Sequence, residues 1–192
     1  MLRNGSIALA AVLGLCCLEA PPLVGLNPGK PLTQLTRTVW TQEQGLPQDT
    51  VHAIAQTQDG YVWLGTNAGL VRFDGYEFVT FTKNDGALPD NTVTALRTSA
   101  SGALWIGTAG GVARYTQGKF QVFTAKDGLP RGTIYSMAED HAGVLWVVLG
   151  GRLCRFENGQ FRTYPKSDLA PIESVGAVYE DNQQQLWVGG LN

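Results

Sequence analysis

Trp63, Trp105, Trp146 and Trp187 stand 42, 41 and 41 residues apart, and this spacing limits the fold more than any other feature. Other positions keep the same phase. Sixteen residues before each Trp stands a proline: Pro47, Pro89, Pro130 and Pro171. Twelve before each stands Val51, Val93, Ile134 or Val175, always after Thr or Ser. Gly65, Gly107 and Gly189 follow their Trp by two; Arg72, Arg114 and Arg155 by nine; Phe73, Tyr115 and Phe156 by ten. Agreement in so many registers makes the chain a tandem array. A period of ~40–50 residues is that of a four-stranded propeller blade.

The content of one copy fits that unit. Val51–Thr57 is a β-branched, apolar run, and Asp59-Gly60 supplies a tight turn. Tyr61–Thr66 reads as the second strand, Leu70–Phe73 as the third and Tyr76–Thr82 as the fourth, with turns at Asn67-Ala68-Gly69 and Asp74-Gly75. The expected fold is therefore all-β, with three and a half to four blades of four antiparallel strands forming an incomplete propeller. The copies run 45–85, 86–127 and 128–168, with a partial copy at 169–192, inside a propeller region 36–192. Blades stack face to face, so a large residue such as Trp is expected between them. The Leu-Pro pairs are expected to fix each crossing between blades.

Composition narrows the function. A net charge of −2 and a pI near 5.6 give no basic field for a nucleic acid. The first 25 residues read as an export segment, with Arg3 ahead of the apolar run Ile7–Leu18. An uncleaved anchor and a buried N-terminal segment are the alternatives. Cys16 and Cys17 fall in that segment, which leaves Cys154 as a lone apolar residue without metal-ligand spacing around it. His52 and His141 form no set with it. Asp59, Asp74, Asp85, Asp127 and Glu139 lie in or near turns, and no two of them make an isolated acid/base couple. No catalytic residue, metal ligand or cofactor is expected. The three phased arginines are read as local structural residues rather than as a shared anion site.

GLPQDTVHAIAQTQDGYVWLGTNAGLVRFDGYEF, residues 45–78, resembles the two-component regulator propeller repeat. The resemblance extends from about Arg37 to the C-terminus. Copy three departs from it, with Trp146-Val147-Val148-Leu149 lacking Gly-Thr and Arg152 in place of a glycine. Copy four has Gln183-Gln184 where Asp-Gly is expected, so its hairpin turn should differ. Residues 36–44 are read as a fourth strand of a preceding blade. The array is read as an N-terminal fragment of a longer sensor, with an open arc or assembly with another chain as alternatives.

The resemblance implies the ligand-sensing part of a periplasmic or extracytoplasmic receptor, itself non-catalytic. Its ligand would be an unknown extracytoplasmic molecule, carbohydrate among the candidates, and a full-length receptor is a possible homodimer. A stand-alone exported module for protein or glycan binding is the alternative, and a propeller lyase or hydrolase a more distant one.

Overall fold

Turn chemistry and strand propensity alternate every few residues, and the chain folds accordingly into short antiparallel strands. The computed structural model describes residues 38–192. The export segment read from residues 1–25 lies outside them. Blade 1 consists of β1 (Val51–Gln56), β2 (Val62–Thr66), β3 (Leu70–Phe73) and β4 (Phe78–Phe81), hydrogen-bonded in that order. Blade 2 consists of β5 (Val93–Thr98), β6 (Leu104–Thr108), β7 (Val112–Thr116) and β8 (Lys119–Phe123). Blade 3 consists of β9 (Ile134–Glu139), β10 (Leu145–Leu149), β11 (Arg152–Glu157) and β12 (Gln160–Thr163). The last sheet has two strands, β13 (Ser174–Glu180) and β14 (Leu186–Leu191). The molecule is thus an all-β, incomplete propeller, and the blade 1 strands match the sequence reading within two residues.

The first strands pack side by side, β1 against β5, β5 against β9 and β9 against β13. Residues 40–192 make one compact unit. Its apolar clusters lie between blades rather than within one. Trp63, Leu70, Leu88 and Val93 join with Leu104 and Ile106 at the first junction. Trp105, Phe123, Leu129, Ile134 and Phe161 meet at the second, and Trp146, Val148, Leu153, Val175 and Val178 at the third. Burial on both faces explains why β6 and β10 are buried at every position and show no alternation.

Two sequence expectations change. Among the described residues of the segment 36–44 there is no strand; Gln42–Gln44 form a 3-10 turn capped by Thr41. Trp40 nevertheless packs edge-on to Phe73 at 4.9 Å and to Phe78 at 5.5 Å. The same geometry joins Phe123 to Phe156 and Phe161 two crossings later. The residue keeps its repeat position although no neighbouring strand extends a ladder to it.

The copy-four turn keeps the geometry of the others. Gln184 N donates to Asp181 O at 3.1 Å, just as Gly60, Gly102 and Gly143 donate to the residue three before them. Gln184 occupies the left-handed region at φ 63, a conformation that costs a non-glycine residue about 1–2 kcal/mol. The Asp181 carboxylate holds the turn by accepting from Gln183 N and Gln185 N, both at 2.9 Å.

Each first strand also carries a bulge one residue after its β-branched start. The register shifts between Val51 and Ala53, between Val93 and Ala95, and between Val175 and Ala177; in blade 3 it shifts opposite Val148–Leu149. His52, Thr94, Tyr135 and Gly176 are the extra residues.

Candidate functional site

Most of the repeated side chains are engaged locally. Trp63 is fully buried, and its ring lies 4.8 Å from Tyr115 of the next blade. Trp105 similarly meets Phe156 at 5.2 Å. Six residues before three of the four tryptophans stands a polar anchor. Trp63 Nε1 donates to Thr57 Oγ1 at 2.9 Å, Trp146 Nε1 to Asp140 Oδ2 at 2.8 Å and Trp187 Nε1 to Asp181 Oδ2 at 2.7 Å. That indole bond, followed by backbone N–H donation, holds Asp181 below its ordinary value of 3.8. Trp187 itself remains exposed.

The arginines divide among local partners. Arg72 stacks over Tyr61 at 4.4 Å, and Arg114 lies over Trp105 at 5.3 Å while donating to Gln121 Oε1. Arg155 pairs with Glu157 at 3.2 Å. The backbone N–H groups of Glu77 and Tyr76 hold Asp74 low. Burial pushes the Cys154 thiol up, against a contact with Thr163 Oγ1. Among the described residues no three His, Cys, Asp or Glu side chains gather as a metal site.

The glycines after the tryptophans mark the blade contacts. A Cβ on Gly65 would stand 2.7 Å from Val93 Cγ1, and one on Gly107 2.6 Å from Ile134 Cγ2. Gly189 has no heavy atom within 4 Å of that position. Copy three carries Val148 there instead, fully buried against the third cluster.

The crossings between blades supply the sharpest contrast. Crossings one to three begin with Thr41, Thr82 and Thr124 and end at Pro47, Pro89 and Pro130. Each opens with a side chain returned to the Thr backbone: Gln44 Oε1, Asp85 Oδ1 and Asp127 Oδ2 accept from the respective N–H at 2.8–2.9 Å. Gly45, Gly86 and Gly128 follow at φ 98, 76 and 88, and then Leu46, Leu88 and Leu129 are buried. The fourth crossing, Pro165–Pro171, has none of these. Pro165 lacks the N–H to be capped, Leu169 stands at the glycine position, and Ala170 replaces the leucine and is exposed.

A cleft of about 420 Å³ opens at this fourth crossing. Leu153, Tyr164 and Val175 line it. Their counterparts one junction earlier, Val112, Phe123 and Ile134, cluster with the inserted Leu129. The turn between β10 and β11 forms another wall. In copies one and two this turn has four residues, closed by Thr66 Oγ1 donating to Gly69 O at 2.9 Å and Thr108 Oγ1 to Gly111 O at 2.8 Å. Copy three has Leu149 in place of that Thr, and it tightens to a two-residue Gly150-Gly151 turn at φ 53 and 74. Arg152 stands where Gly69 and Gly111 stand in the other copies, and it borders the cleft together with Lys166.

The sequence reading noted Arg152 and Leu149 as departures and gave them no role. Their coincidence with Pro165, Leu169 and Ala170 was the missed signal, because both sets meet at one junction.

No curated protein matches the chain. Residues 45–68, 87–110 and 128–150 match the two component regulator propeller family. The chain carries two-component regulator propeller repeats. Solved structures agree. The extracellular domain assigned to the hybrid two component system BT3049 of B. thetaiotaomicron is similar with a TM-score of 0.72 and 26% identity. The match covers 82% of this chain and 23% of that one. The extracellular domain assigned to the one component system BT4673 of the same organism has a TM-score of 0.63 and 21% identity, over 76% of this chain and 21% of that one. Virginiamycin B lyase from Staphylococcus aureus has a TM-score of 0.58 and 22% identity, over 74% and 50%. At 21% and 22% identity the likenesses to the BT4673 domain and to the lyase concern the fold alone. This propeller array spans less than a quarter of those two extracellular domains' chains.

Proposed function

We propose that this propeller array is the extracytoplasmic ligand-sensing portion of a two-component-type receptor, without a reaction of its own. The similarity to the extracellular domain assigned to BT3049, over most of this chain, is the observation that carries the reading. Export by the N-terminal segment belongs to the same proposal. The described residues contain no helix long and apolar enough to cross a membrane. A ligand that binds one arrangement of the array better than another would shift the population of receptor states and so reach the output.

The test is genetic and then chemical. The DNA downstream of the Asn192 codon should encode a membrane span and a kinase or cyclase, in frame or in the same operon. Genes without any signalling output there would remove the receptor reading. Incubating the purified chain with its ligand should raise thermal stability and leave the ligand intact by mass spectrometry. Turnover would make it an enzyme.

A further inference from the structure

The fourth crossing breaks the repeat at its Thr, glycine and leucine positions, and a lined cleft opens beside it. At the second and third crossings Leu88 and Leu129 are buried within the apolar clusters. At the fourth, Leu169 and Ile172 pack partly buried against the cluster of Leu153 and Val175, and a cleft of about 420 Å³ remains beside them. That volume falls in the ~300–1,000 Å³ range of small-molecule sites. Leu153, Leu169, Ile172 and Val175 give the cleft an apolar floor.

The rim is charged in one dominant sense. Arg152 enters where two other copies have glycine, and Lys166 comes from the crossing itself. Neither has an ion-pair partner within 4.0 Å among the described residues, whereas Arg155 and His141 do. Glu173 also lines the cleft, so the three ionisable side chains leave an excess of one positive charge. Two unpaired cations above an apolar floor suit a ligand that is anionic at one end and apolar at the other. A guanidinium can bind a carboxylate through two parallel hydrogen bonds, which makes that group the favoured anion.

We propose that the cleft between blade 3 and the last sheet binds a small organic carboxylate with an apolar body, the carboxylate on Arg152 and Lys166. As a sensing event this rests on the proposed function. As a binding event it stands independently.

Isothermal titration calorimetry on the full chain tests it with 4-phenylbutyrate as probe, and with 4-phenylbutylamine and 4-phenylbutanol as controls of like body. The acid should bind at least tenfold more tightly than either control. The double variant Arg152→Ala/Lys166→Ala should lose that preference. A second variant, Leu169→Gly/Ala170→Leu, restores the Gly-Leu-Pro of the other crossings. It should abolish binding while the far-UV circular dichroism spectrum is retained. Absence of acid binding, equal binding of acid and amine, or binding that survives both variants overturns the inference. A receptor response to some other molecule, with no carboxylate binding at this cleft, would overturn it and leave the proposed function standing.

Discussion

Two kinds of junction hold this molecule together. At the first and second, a glycine two residues after the Trp receives the next blade's β-branched residue, at the 2.6–2.7 Å that a Cβ would have to share. A Thr hydroxyl closes the neighbouring turn, and a buried leucine seals the crossing. At the third, Val148 fills the glycine position, Leu149 replaces the Thr, and Leu169 and Ile172, only partly buried, stand in for the buried leucine of the other crossings. The same architecture is thus built in two ways. The strict junctions spend their residues on close approach; the third trades that closeness for apolar bulk inside and a cleft outside. In an array of near-identical units, a place where several closing residues change together is the place to look for a ligand.

The largest test compares the tryptophans. Trp63→Ala should cost ~3–5 kcal/mol by chemical denaturation, the usual loss for a buried aromatic. Trp187, exposed and held by one indole bond, should cost about 1 kcal/mol when replaced by Ala. Equal losses would mean that the stacked junctions do not carry the stability. Next comes the glycine contact. Gly107→Val should destabilise by ~1–3 kcal/mol through overpacking against Ile134, whereas Gly189→Val should stay within ~0.5 kcal/mol. A neutral Gly107→Val would show that adjacent blades can part, and that the Val148 junction is no different in kind.

A smaller effect belongs to the turn. Thr108→Val removes a hydroxyl that donates to Gly111 O and accepts from Gly110 N. Leaving a buried carbonyl with one bond fewer should cost ~1–2 kcal/mol, read as a lower denaturation midpoint. Leu149→Val, in the Gly-Gly version of the turn, removes no hydrogen bond and should cost less than Thr108→Val.

Much of this was legible in the residues. Blade 1 could be read almost strand by strand because Gly60, Gly69 and Gly75 each require a positive φ that few other residues accept. The copy-four turn was misread for the same reason in reverse. Gln184 has no intrinsic signal for the left-handed region; the turn is imposed by the carboxylate of Asp181, whose bonds a residue pattern does not display. The bulges at His52 and its counterparts were invisible because a two-against-one register depends on the partner strand. The cleft was hidden for a related reason. Arg152 and Ala170 are eighteen positions apart in the chain, and only the crossing's return over β11 and β12 brings their neighbourhoods to one cavity.

The smallest expected effect concerns acid. Blade 1 anchors its Trp through a hydroxyl, Thr57, and the last sheet anchors Trp187 through a carboxylate, Asp181. Because folding lowers the Asp181 pKa below 3.8, the native state favours the charged form. Its contribution is therefore complete above the unfolded value and is lost as pH falls through the still lower folded value. The group lies half-buried at the surface, so the effect is local and confined to the β13–β14 hairpin. The Trp187 indole N–H resonance should titrate with a midpoint below 3.8, and Asp181→Asn should flatten that curve. A midpoint at or above 3.8 would show that the carboxylate gains nothing from the turn. In that case Gln184 would hold its left-handed conformation for some reason other than the bonds Asp181 accepts.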